Sequence, residues 1–222
     1  MSDNVGMLDV LLAAVAHLAA PHASAAPPEH RQVVVVRASA AGDTEATVEA
    51  YAYRDGAFHR VIGPVHAFVG AEGIGSGSEW HSRTPAGVYP LTQGFGWAAN
   101  PGTRIPYRKV GSAAWWVSDI HSPAYNTLQF CRPAACTFDT AAAEPLASIS
   151  VYRHALVIDY NRSPVVSGAG SAFFQHESGG EPTAGCVAIE GDALTRIMRW
   201  LRPAAQPVIS IGVGARAYRP LA

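Results

Sequence analysis

Lysine is almost missing from this chain: Lys109 is the only one in 222 residues. Without a Lys/Arg run, and at a formal net charge of −1, the sequence has no electrostatic footprint for nucleic acid. Charged residues make up only 15%, yet no apolar run is long enough to span a membrane as a helix. Metal-ligand spacing is absent too. His81, His121 and Asp119 form no His-x-x-x-His or His-x-Asp set, so no metal is expected. The glycines of Gly70-Ala-Glu-Gly-Ile-Gly-Ser-Gly77 lack the order of a dinucleotide or phosphate loop, which excludes that class. What is present is a chain 49% hydrophobic with 21 Gly and 16 Pro. That composition buries a full core and supplies many turns, and the length suits one domain.

The first residues read as an export signal. Leu11-Leu-Ala-Ala-Val-Ala-His-Leu-Ala-Ala20 is apolar and short, and Ala23-Ser24-Ala25 fits a small-x-small cleavage pattern. The stretch before it is not basic, since Met1–Asp9 holds two Asp and no Lys or Arg. Residues 1–25 are thus expected to be a secretory signal with a weak start. Residues 26–222 are expected to form a single domain, a soluble monomer in the cell wall or extracytoplasmic space. In an exported protein the three cysteines divide into one disulfide, Cys131 with Cys136, and one free thiol, Cys186.

The body has the grain of an all-β protein. Gln32-Val-Val-Val-Val-Arg37 is a β-branched run, and Thr47–Tyr53 and Phe58–Ile62 flank an Arg54-Asp-Gly56 turn. Further strand candidates are Gly87–Leu91, Trp115–Ser118, Ser148–Tyr152, Ala155–Tyr160, Ala172–His176, Cys186–Ile189 and Pro207–Ile211. Ala141–Pro145 reads as a turn of helix or a loop. The period changes once. Leu194, Ile197, Met198 and Leu201 fall at helical spacing, with Asp192 near the start and Pro203 as the stop.

Ser171-Ala-Phe-Phe-Gln-His-Glu-Ser-Gly-Gly-Glu-Pro-Thr-Ala-Gly-Cys186 carries the chemistry. A cysteine becomes a nucleophile when its thiolate is accessible and an imidazole or backbone donors hold the charge. His176 is the candidate base, and the amides of Gly185 and Cys186 are candidate oxyanion donors. Thr183 offers a hydroxyl to hold the loop or a substrate carbonyl. A buried inert thiol is the alternative reading of Cys186.

Thr183-Ala-Gly-Cys186, preceded by Phe173-Phe-Gln-His176, resembles the catalytic motif of the L,D-transpeptidase (YkuD) domain family. Arg83-Thr-Pro-Ala-Gly-Val-Tyr89 is similar to the early strand-turn signature of that family. An actinobacterial short-loop branch looks similar over Trp116–Asp119, Tyr125-Asn126, Tyr160-Asn161 and Gly170-Ser171. The likeness covers roughly residues 60–212. It implies a β-sandwich-like catalytic fold with one C-terminal helix packed on it. It also implies a thioester acyl-enzyme on Cys186, with His176 as base, Thr183 as the hydroxyl residue, and no metal or organic cofactor. The partners it implies are peptidoglycan stem peptides: a tetrapeptide donor and a diamino-acid amine acceptor, joined as a 3–3 crosslink. His154, Arg83, Trp116 and Tyr160 are the substrate-contact candidates.

The chain departs from the family pattern at Ala184 and Ala188, and Glu177 follows the histidine. Two alternatives accompany transpeptidation. One is an L,D-carboxypeptidase or peptidoglycan hydrolase using the same cysteine. The other is a catalytically weak cell-wall-binding or structural protein.

Overall fold

Four valines in a row, Val33 to Val36, are all fully buried, which requires cover on both faces of their strand. Side chains alternate across a strand, so Val34 and Val36 point one way and Val33 and Val35 the other. The computed structural model, which describes residues 28–221, supplies both covers. Val34 and Val36 join the main core with Leu156, Ile189, Leu194 and Ile197. Val33 and Val35 meet Val208 and Ala217, the latter from the 3-10 segment Gly214–Leu221. The expected export signal lies outside the described residues.

The valine strand Gln32–Ala38 is central to a ten-stranded mixed sheet. On one side it pairs antiparallel with Glu45–Arg54, and on the other parallel with Val208–Val213. Glu45–Arg54 turns into Ala57–Phe68 through Asp55 and Gly56, at φ 53° and 83°. Two successive positive φ values make the primed turn whose twist suits a two-residue hairpin, and Asp-Gly is a favoured pair for it. Beyond Ala57–Phe68 the sheet continues through Val187–Ile189, Phe174–Glu177, Ala155–Val157, Gly94–Gly96 and Tyr107–Lys109. Among the described residues the fold is predominantly β with one α-helix, as the residue patterns indicate.

That helix, Gly191–Trp200, begins where the Glu190 carboxylate accepts from the amides of Asp192 and Ala193, both at 3.1 Å. An acidic cap satisfies donors that have no intrahelical partner. Ala193, Leu194, Ile197 and Met198 face the sheet and are buried, and Pro203 opens the next 3-10 turn.

Three expectations change. Ser148–Tyr152 is not a strand; Leu146–Ser148 and Ser150–Arg153 are 3-10 turns. The Tyr152 ring packs edge-on to Phe95 and Phe174 from this turn, centroids 5.6 and 5.4 Å away. Ala155–Tyr160 shortens to Ala155–Val157. Within Ala141–Pro145, residues Ala143–Pro145 form a strand against Ala114–Val117.

Gln175 is fully buried, and neither its side-chain nitrogen nor its oxygen has a hydrogen-bond partner. An unpaired buried amide carries its full desolvation cost. Gln175→Leu should therefore raise the unfolding free energy by about 1–2 kcal/mol in urea denaturation. A loss of stability would mean that the amide is satisfied in solution.

Candidate functional site

The strand Phe174–Glu177 runs parallel to Val187–Ile189, setting His176 beside Ala188. The connection between them is pinned by two threonines. Thr183 and Thr84 both donate their hydroxyls to the Cys186 carbonyl, at 2.8 and 3.2 Å. Thr84 also accepts from the Gly70 amide at 2.8 Å, and Thr183 from the Gly185 amide at 3.0 Å. The Gly185 amide, a candidate oxyanion donor, is thereby engaged inside the turn. Gly185 itself has φ 142°, and a Cβ there would stand 2.6 Å from the Phe173 ring.

The two remaining cysteines form a disulfide, Cys131–Cys136, with Cα atoms 5.3 Å apart. Its loop sits over Trp115, whose indole donates to the Cys131 carbonyl at 3.0 Å. Cys186 is thus the free thiol, and it is buried. Its sulfur accepts from the Phe174 amide and donates to the Ala172 carbonyl, each at 3.4 Å. Burial pushes the thiol up to about 12, with the charge of Glu144 adding to the rise. Hydrogen bonds from Phe174 and Tyr152 oppose this only in part. At neutral pH the group is therefore a thiol rather than a thiolate, and only the thiolate attacks.

His176 does not relieve this. Its Nδ1 faces the Glu177 carbonyl at 2.7 Å, so Nδ1 carries the proton, and burial lowers its pKa. No imidazole nitrogen is among the hydrogen-bond partners of the sulfur. The expectation of a cysteine-dependent acyltransferase, and of L,D-transpeptidation by it, is corrected here. Two cysteines are locked in a disulfide, and the third is buried, protonated and hydrogen-bonded to backbone.

No protein-family profile matches this chain, and no curated protein matches it. Among solved structures it is similar to a mutant of the helical cell shape determining protein Pgp2 from Campylobacter jejuni. The match has 12% identity and a TM-score of 0.40, and covers 85% of this chain and 49% of that one. The chain thus spans about half the length of that protein.

The thiol lies at the floor of a cleft of about 480 Å³. Cys186, His176, Gly185 and Thr183 all line it. The four substrate-contact candidates lie elsewhere. His154 is buried, with Nδ1 2.9 Å from Glu177 and Nε2 3.2 Å from the Ala99 carbonyl. Arg83 pairs with Glu72 at 3.4 Å. Trp116 is core, its indole donating to Asn126 at 2.9 Å and its ring covered by Arg162. Tyr160 donates to the Ala169 carbonyl at 2.8 Å and packs on Tyr89 and Phe173.

The cleft instead contains Glu79, Trp80, Ser118, Glu144, Tyr152, Ser171 and Glu181, which sequence reasoning did not select as site residues. Tyr152 came from a segment read as strand, and Glu144 from one read as turn or loop. Neither has a motif around it, so nothing in the string marks them. Only Trp80, 71% exposed, is conspicuous by its type. Among the described residues no group of three or more His, Cys, Asp or Glu is placed to hold a metal.

Proposed function

We propose that this cleft binds an extended peptide without forming a covalent bond to it, in an exported cell-wall-binding or structural protein. The single observation that carries this reading is a protonated, backbone-bonded thiol at the floor of an otherwise open, polar cleft. Such a site offers recognition groups but no activated nucleophile. Ser78 and the hydrogen-bonded pair Ser171 and Ser118 supply hydroxyls along the walls, and the Trp80 indole stands exposed beside them. A few placed polar groups in a concave site are what orient a ligand. The ligand class is peptidoglycan stem peptide, as the resemblance of the 173–186 segment to the YkuD family suggests. A disulfide at Cys131–Cys136 suits an extracytoplasmic place of work, since such bonds persist in oxidising compartments.

The test titrates isotopically labelled protein with a synthetic stem tetrapeptide and weighs the intact protein afterwards. The expected result is reversible shifts of cleft amides such as those of Thr183 and Glu181, with no gain in mass. A persistent mass increment localised to Cys186, or amide shifts absent at millimolar peptide, overturns the proposal.

A further inference from the structure

Glu144 is the cleft residue whose chemistry is least settled by its surroundings. It sits on the strand Ala143–Pro145, paired with Trp116 on Ala114–Val117, and its side chain opens on the cleft. Its one hydrogen-bond partner is the Tyr152 hydroxyl, which donates to Oε2 at 2.7 Å. Among the described residues no lysine, arginine or histidine forms an ion pair with it. The residues lining the cleft include no lysine or arginine at all.

The groups facing Glu144 come from each neighbouring element. Tyr152 stands on the 3-10 turn Ser150–Arg153, and Cys186 precedes the strand Val187–Ile189. Glu79 belongs to the loop before Trp80 and is itself hydrogen-bonded by Tyr125. His176 lines the same cleft from its own strand, with His81 and Glu181 elsewhere on its walls. The charged group that acts on it, Glu79, is negative, and the Cys186 thiol beside it is protonated. Burial lowers the pKa of His176, which disfavours its charged form. A carboxylate at Glu144 therefore has no ion-pair partner among the described residues, and a bound cation is what would supply one.

We propose that Glu144 is a proton-gated receptor for a ligand ammonium group, so that the cleft takes amine-bearing peptides in preference to amine-free ones and holds them more tightly as pH rises. This rests on the peptide-binding reading above and adds to it a ligand group and a form of regulation. Burial, opposed by Tyr152 and reinforced by Glu79, raises the Glu144 carboxyl from 4.5 to about 7. An alkyl ammonium stays charged throughout that range. In the empty protein the sign runs the other way. A carboxyl with a raised folded pKa withdraws stability as pH climbs from about 4.5 to about 7, because the unfolded chain ionises first.

The test measures affinity for two tetrapeptides, one with a free side-chain amine and one acetylated there, from about pH 5.5 to about pH 8.5. For the free amine, affinity should rise about tenfold with pH, while the acetylated peptide stays weak and flat. Glu144→Gln keeps an acceptor for Tyr152 and should flatten the rise. Equal, pH-independent binding of both peptides overturns this inference and leaves peptide binding standing. Binding of neither at any pH overturns both. Should the glutamine variant fail to fold, carbon-13 titration of Glu144 in the parent decides. The free-amine peptide should lower its midpoint, and an unmoved midpoint overturns the inference.

Discussion

Replacing Phe174 with alanine should cost about 3–5 kcal/mol of unfolding free energy, the largest loss expected at any single position. The ring is fully buried. Phe95 and Trp116 meet it edge-on at 4.8 Å, and Tyr152 at 5.4 Å. Phe95 also packs on Tyr152 at 5.6 Å and on Trp116 at 6.3 Å, so rings from separate segments form one cluster around Phe174. Alanine would leave a hole edged by three rigid aromatics, which cannot collapse into it as aliphatic chains do. The cleft floor should suffer as well, because Tyr152 holds Glu144 and the Phe174 amide holds the Cys186 sulfur. Urea denaturation checks the figure. A loss below about 1 kcal/mol would mean that the cluster repacks freely, contrary to a rigid aromatic floor.

The second large effect is expected at Gly185→Ala, with a loss of about 3 kcal/mol together with ligand binding. Two penalties add. At φ 142° an alanine is strained whatever the space around it. Its Cβ would also meet the Phe173 ring at 2.6 Å and the Arg83 carbonyl oxygen at 3.0 Å. Phe173 is wedged against Tyr160, so its ring has little room to retreat. Relief would have to come from the Thr183–Cys186 turn, which would break the hydroxyl bridges to the Cys186 carbonyl. Chemical denaturation and the tetrapeptide titration measure the two parts separately. Full stability with intact binding would show that the turn has slack that its hydrogen bonds do not suggest.

Much of the frame was legible in the string because its signals are local. The Asp55-Gly56 pair fixes its hairpin by backbone preference alone. Leu194, Ile197, Met198 and Leu201 repeat at helical spacing over enough residues to be unambiguous. The valine run reads as a strand, and the structure covers it on both faces. The cysteine partition into a Cys131–Cys136 disulfide and a lone Cys186 also holds.

What stayed hidden is set by contacts distant in sequence. A three-residue strand such as Ala143–Pro145 is too short to show a period, so Glu144 could not be placed. His154 shares a segment with cleft-lining Tyr152, yet Glu177 and the Ala99 carbonyl hold its imidazole in the interior. The state of the Cys186 thiol is subtler still. A Thr-Ala-Gly-Cys string fixes the shape of the turn, but ionisation depends on burial and on Glu144, forty-odd positions away. Shape is therefore readable here where reactivity is not.

The parallel pairing of Val33 with Val208 has a consequence for synthesis on the ribosome. The valine strand emerges early and finds its hairpin neighbour, Glu45–Arg54, almost at once. Its other edge, and the face closed by Ala217, must wait for nearly the whole remaining chain. At ordinary elongation rates that interval is on the order of ten seconds. Throughout it, a β-branched segment with open backbone donors is available to any passing strand, the condition under which nascent chains aggregate. Closing that edge is therefore among the last steps of folding.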